Sequence, residues 1–152
     1  MIRIAHIALY TLDLERAIRF YSNYFNGVAG TPYHNPMRGF RSRFIRFGSD
    51  VSLEIMTLDA GLEPALDDIP TVGYSHMAFS VGGKDAVDNL TARLEQDGYT
   101  IVSRPRVTGD GYYESCVLDP DGNRVEIVAD DQHCVDQCIH KMISFNKKSR
   151  KT

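Results

Sequence analysis

The chain has 152 residues, 43% of them hydrophobic and 24% charged, with a net charge of −3. That is enough chain for one domain or two small lobes, and too apolar a mixture for a disordered segment. The weak negative charge gives no electrostatic footing on nucleic acid, and no apolar run reaches the length that spans a bilayer.

In chain order, "IRIAHIALYT" opens the sequence as an apolar strand. Asp13 then caps a helix whose apolar positions, Leu14, Ala17, Ile18, Tyr21 and Phe25, recur at helical spacing, and Gly27 is its expected stop. After an irregular stretch, "RSRFIRF" and "VSLEIM" read as two strands joined by a short turn around Gly48 and Asp50. "LDAGLEPALDDIPTVG" reads as a connection. The order then repeats. "YSHMAFSV" is a strand, and residues 84 to 97 are a helix with Val87, Leu90, Thr91 and Leu94 on one face, ended by Gly98. "YTIVSR", "YYESCVL" and "NRVEIVA" are strands, the last two joined by the turn "DPDGN".

Three landmarks keep a nearly constant offset between the copies. His6 and His76 stand 70 residues apart, Gly27 and Gly98 stand 71 apart, and Glu54 and Glu126 stand 72 apart. That is the mark of an internal duplication. The expected fold is α+β, with tandem βαβββ modules forming a cupped mixed sheet and helices on its outer face. The first module covers residues 1–58, a linker 59–73, the second module 74–129, and a C-terminal tail, partly helical, 130–152. The tail holds "HCVDQCIH", where His133, Cys134, Cys138 and His140 could clip a metal, although an ordinary helix or frayed end explains them as well. With Cys116 the cysteines number three, which makes no secreted disulfide framework. Without a signal-peptide pattern a cytoplasmic address is expected.

Side chains alternate across a strand, so parity assigns faces. His6 shares a face with Ile4, Ala8 and Tyr10, opposite Ala5, Ile7 and Leu9; His76 shares one with Ala78 and Ser80. Glu54 opposes Val51, Leu53 and Ile55, and Glu126 opposes Val125 and Ile127. All four polar residues therefore back onto an apolar, helix-covered face and can line one cup. One such His or Glu alone would be an ordinary surface residue. Carboxylates flanked by apolar residues repel one another unless a cation lies between them, and two imidazoles with two carboxylates suit a divalent ion: Zn, Ni, Mn, Co or Fe. Octahedral coordination would leave two positions for water or substrate.

This arrangement, with "SLEIM" ending the first module and "DPDGNRVEIV" the second, resembles the vicinal-oxygen-chelate superfamily and, within it, the glyoxalase I branch. The resemblance covers residues 2 to about 129. It implies one divalent metal ion held by His6, Glu54, His76 and Glu126, chelating two vicinal oxygens of a small-molecule substrate. The implied activity is a lyase-class isomerisation of a hemithioacetal, or a related α-hydroxycarbonyl, through a metal-bound enediolate. A carboxylate beside the metal would move the proton, with Glu126 the favoured base and Glu54 the alternative. A Glu at position 54 points away from the dioxygenase and fosfomycin patterns, in which that position is not a ligand. Other superfamily activities, such as epimerase or dioxygenase, and non-catalytic antibiotic binding are the alternatives. A homodimer is expected, the sites lying within one chain or shared between two, with neither nucleic acid nor membrane as partner.

The resemblance departs where glutathione would be gripped. Glyoxalase I carries Arg four residues after the first ligand and Asn four after the first Glu; this sequence has Tyr10 and Leu58 there. Arg41 and Arg43, which share a strand face, are candidates for binding an acidic substrate, and Tyr112 and Tyr113 for lining the mouth of the cup. Solvated arginines and core tyrosines are the plainer alternatives. His34 reads as a loop histidine.

Overall fold

The protein is described from a computed structural model, which defines residues 3–48, 51–63 and 72–130. Helix α1 (Leu14–Phe25) begins as its sequence requires. Asp13 is extended, and its carboxylate accepts the Arg16 N–H at 3.0 Å. Ala17, Ile18, Phe20, Tyr21 and Phe25 are buried along one stripe. The helix does not stop on Gly27. Asn26 takes the left-handed conformation at φ 54°, a role that asparagine tolerates better than most residues. Gly27 is needed for a different reason: a Cβ there would lie 2.5 Å from Ile45 Cγ2 and 2.9 Å from Phe47 Cε1.

The first sheet contains β1 (His6–Tyr10), β2 (Val28–Ala29), β3 (Tyr33–Asn35), β4 (Phe40–Phe47) and β5 (Val51–Leu58). Its order is β1-β5-β4-β2, with β3 also pairing with β4. The stretch expected to be irregular thus holds two short strands. β1 runs parallel to β5, and β4 and β5 form an antiparallel hairpin closed by Phe47 opposite Val51. The second sheet contains β6 (Met77–Ser80), β7 (Ile101–Val107), β8 (Tyr113–Leu118) and β9 (Arg124–Val128), in the order β6-β9-β8-β7. Setting β3 aside, both sheets read first strand, fourth, third, second. The two sheets share one topology, as the expected tandem modules of an α+β fold require.

Helix α2 (Lys84–Gln96) buries Val87, Thr91 and Leu94. It ends in a Schellman arrangement, in which Tyr99 N–H reaches Leu94 O at 3.0 Å and Gly98 N–H reaches Glu95 O at 3.1 Å. Gly98 stands at φ 87°, so here the glycine is the stop. Thr91 is an interior polar residue, and its hydroxyl is satisfied by Val87 O at 2.7 Å and Ser115 Oγ at 2.6 Å.

By proximity the chain divides into two compact units, Met1–Met77 with Leu118–Val125, and Ala78–Val117 with Glu126–Thr152. The core of the first gathers the stripe of α1 with Ile45, Leu53 and Ile55; that of the second holds Val87, Leu94, Val117 and Ile127. Ile7 lies on the helix-facing side as expected, paired with Leu53, but β1 is an edge strand and leaves it 36% exposed. Among the described residues no helix is long and apolar enough to cross a membrane. His133, Cys134, Cys138 and His140 lie outside the described residues, whereas Cys116 is buried.

Candidate functional site

Glu54 sits in the middle of β5, between Leu53 and Ile55, which are 2% and 0% exposed on the opposite face. Strand alternation places its carboxylate on the face away from α1. The register sets Ala8 of β1 on one side of it and Phe44 of β4 on the other. His6, one pair nearer the start of β1, brings Nε2 to 3.8 Å from Glu54 Oε2. The His6 ring meets the Phe44 ring edge-on, with centroids 5.4 Å apart. The Glu54 side chain is 18% exposed and that of His6 46% exposed. An imidazole nitrogen and a carboxylate oxygen therefore stand side by side, just beyond hydrogen-bonding distance, on a partly apolar face. As donors they fit a borderline divalent ion, which accepts both atom types.

Glu126 lies on β9, half-buried, between the fully buried Val125 and Ile127 on the opposite face. His76 does not lie on a strand, as its motif suggests, but immediately before β6, exposed, with Nδ1 3.3 Å from Ser75 Oγ. Among the described residues no group of three or more His, Cys, Asp or Glu side chains gathers to hold a metal ion.

Tyr10 shares the face of Glu54 and is 52% exposed. Arg41 and Arg43 do share a face with each other, but it is the wrong one for a ligand at Glu54. They pair with Thr57 and Ile55, on the α1 side. Arg43 donates from Nε to Gly30 O at 2.7 Å and reaches Glu15 at 3.7 Å. Arg41 is ion-paired with Asp59, whose other oxygen lies 3.3 Å from His34 Nε2. His34 is thus a β3 residue in a charged cluster, not a loop bystander. Desolvation works to raise the Asp59 carboxyl, yet His34 and Arg41 together outweigh it and hold the group below the usual carboxylate range. Tyr113 leans on α2. Its hydroxyl donates to Asp88 at 2.7 Å and Lys84 Nζ lies 5.2 Å from its ring centroid. That hydrogen bond, with desolvation and the charges of Asp88 and Asp85, raises the phenol.

Two features escaped the sequence reading. Phe44 lies directly beside Glu54, and the hairpin turn could have revealed it, because positions equidistant from a tight turn pair across it. The same rule would have put Arg41 and Arg43 on the far face. The second feature is the turn "DPDGN" itself. Asp119 is 4% exposed and accepts hydrogen bonds from the Tyr21 hydroxyl at 2.9 Å, the backbone of Asp121 at 2.9 Å and of Asn123 at 2.8 Å, and the Asn123 amide at 2.9 Å. Asp121 accepts from the Thr11 hydroxyl, from Leu12 N–H at 3.2 Å and from Arg16 Nη2 at 3.1 Å. The turn that leads into β9 is thereby tied to the start of α1. No local signal marks these partners, which lie about a hundred residues away.

The profile of the Glyoxalase/Bleomycin resistance protein/Dioxygenase superfamily matches residues 3–127. The Bacillus subtilis (strain 168) protein YqjT, whose name assigns no activity, is 32% identical over 127 residues, covering 82% of this chain and 96% of its own. A lactoylglutathione lyase of Arabidopsis thaliana is 28% identical over 127 residues, covering 83% of this chain and 44% of its own, so the chain spans less than half of that plant relative. Among solved structures, the trypanothione-dependent glyoxalase I of Leishmania major superposes with a TM-score of 0.73 at 21% identity over the whole of both chains. Glyoxalase I of Zea mays does so with 0.68 at 25% identity, over 84% of this chain and 45% of its own. With the duplicated strand order and the paired His6 and Glu54, these likenesses converge: the chain belongs to the Glyoxalase/Bleomycin resistance protein/Dioxygenase superfamily.

Proposed function

We propose that the protein is a metal-dependent isomerase of the glyoxalase I type, acting on a hemithioacetal or a related α-hydroxycarbonyl. The observation that carries this reading is the pairing of His6 Nε2 with Glu54 Oε2 at 3.8 Å, on a sheet face backed by a closed core. His6 and Glu54 supply two donors, and His76 and Glu126, at the matching places of the second repeat, supply two more. The reading takes His76 and Glu126 from a second copy, in a two-fold dimer with two sites, as is common in duplicated chains. When bound, a divalent ion would supply charge stabilisation to the oxygen beside the carbon that loses its proton. Glu126 acts as the base, taking that proton and returning it to the neighbouring carbon.

Mixing two defective chains tests the arrangement. His6→Ala and His76→Ala proteins should each hold almost no metal, because every site in either homodimer lacks one imidazole. After unfolding and refolding together, a mixed dimer regains one complete site of its two, and elemental analysis should find that metal. Sites built within single chains would regain none, since each chain then carries its own defect. Undiminished metal in both separate variants would end the metal reading altogether. Exchange of solvent deuterium into the α-position of a hemithioacetal then separates an isomerase from a binding protein.

A further inference from the structure

The face that carries His6 and Glu54 has a pronounced polarity along β5. In one direction Ser52 lies between His6 and Arg46, a polar and cationic row. In the other, Met56 lies between Tyr10 and Ser42, and Leu58 lies opposite Phe40. Tyr33, paired with Ser42, brings its ring within 6.2 Å of the Phe40 centroid. Alternation puts Met56 about 7 Å from Glu54 along the strand, at about 3.3 Å per residue, and Leu58 one step farther. The strip starts beside the reactive pair and leads away from it. Tyr10 and Tyr33 remain more than half exposed, while Met56, Leu58 and Phe40 are half-buried.

Among the described residues, neither of these two rows carries a charge. Of the three arginines of β4, Arg41 and Arg43 lie on the opposite face and are engaged by Asp59, Gly30 O and Glu15, and Arg46 lies beyond Glu54, at the other end of the face from the strip. A tripeptide thiol with its two carboxylates would lose hydration here and find no cation in return. An uncharged ring or branched alkyl group would instead cover exposed apolar surface on Tyr10 and Leu58.

We infer that the substrate carries an uncharged apolar group, aromatic or branched alkyl, adjoining its two vicinal oxygens, and that Tyr10, Met56, Leu58 and Phe40 receive it. The inference rests on the proposed chelating site at His6 and Glu54. It commits the strip to the small-molecule substrate, by continuity with that site and by the lack of charge in both rows. Tyr10 and Leu58 then act as specificity-determining residues.

Two hydroxamates test it, because benzohydroxamate and acetohydroxamate present the same pair of oxygens and differ only in a ring or a methyl group. On the metal-loaded protein, calorimetry should show the benzo compound binding at least about tenfold more tightly. That ratio should fall towards one in Tyr10→Ser and in Leu58→Ser, with metal content retained. A ratio near one in the unaltered protein, or one that neither substitution reduces, overturns the inference. A second measurement needs no metal. In chelator-stripped protein labelled with 13C-methyl methionine, benzyl alcohol should shift the Met56 methyl resonance saturably, and Leu58→Ser should abolish the shift. A resonance unmoved by benzyl alcohol but moved by dilution of the protein would mean that a second copy covers the strip, which also overturns the inference. If neither hydroxamate binds while benzyl alcohol still shifts Met56, the chelating site fails and the apolar site stands.

Discussion

In the first repeat the helix begins on a carboxylate and ends on an asparagine; in the second it begins on a glycine and ends on one. Asp13 binds the Arg16 N–H, whereas Gly83 makes no side-chain cap. Asn26 turns left-handed before Gly27, whereas Gly98 makes that turn itself. The sheets nevertheless keep the same strand order, and Glu54 and Glu126 keep the same place, each between two buried aliphatic residues. Strand order depends on many pairings at once. A cap contributes only about 1 kcal/mol, so each copy can change its caps without losing the fold. Duplication therefore conserves what is collective and lets local devices diverge.

The largest expected effect lies in the two glutamates, which are equivalent in place but not in setting. Glu54 has His6 beside it, while Glu126 follows a turn locked by Asp119 and Asp121. If Glu126 is the base, Glu126→Gln at matched metal occupancy should lower turnover and α-proton exchange by about two to four powers of ten. Glu54→Gln should lose metal first, and less turnover per metal bound. Equal losses from both at equal occupancy would make the two copies interchangeable and remove the assignment.

Next in size is the turn itself. Asp119→Ala removes four hydrogen bonds and leaves the buried Tyr21 hydroxyl without its partner, which should cost about 2–4 kcal/mol in urea unfolding. Tyr21→Phe leaves Asp119 three donors and should cost about 1–2 kcal/mol. Tyr21 also gives a pH signature. Burial, and then the charge and hydrogen bond of Asp119, push its phenol far above the ordinary range. The folded state keeps a proton that the unfolded chain releases above about pH 10, so this contribution is full below that pH and declines as pH rises further. Tyr21→Phe should flatten the alkaline decline; an unchanged slope would place the titration elsewhere.

How much of this was legible in the sequence follows from the range of each interaction. The faces of Glu54 and Glu126, the Asp13 cap and the Gly98 stop depend on near neighbours, and alternation or helical spacing exposes them. Alternation shows that Arg41 and Arg43 share a face, but which face of the sheet it is depends on the register across the hairpin. The ties from Thr11, Arg16 and Tyr21 to Asp121 and Asp119 join distant parts of the chain, and no periodicity encodes them. Gly27 shows the intermediate case: its place at a helix end was legible, but its reason lies in Ile45 and Phe47 across the packing layer. Gly27→Ala should therefore cost about 1–3 kcal/mol through overpacking. Gly98→Ala, where nothing lies within 4 Å of the added Cβ, should cost about 1–2 kcal/mol through its left-handed backbone alone. In a double-mutant cycle Ile45→Ala, which removes the Cγ2 methyl, should reduce the cost of the first and leave that of the second unchanged.

The smallest expected effect is a gain. Gly83 is extended, at φ −76° and ψ 175°, which is the backbone a side-chain cap requires. Nothing lies within 4 Å of a Cβ built there, so a side chain meets no obstacle. The N–H of Ala86, three residues on, reaches Gly83 O at 2.9 Å, where the N–H of Arg16 in α1 has the Asp13 carboxylate. Gly83→Ser gives that N–H a hydroxyl acceptor and also restricts the unfolded chain. Because glycine is itself a tolerable cap, the gain should be only a few tenths of a kcal/mol, up to about 1 kcal/mol. Asp13→Gly in the first repeat should lose a similar few tenths, so that the two helices exchange their starting chemistry. Urea midpoints of the two variants and of their combination measure this. If Gly83→Ser destabilises, the extended backbone at that position serves something other than the start of α2.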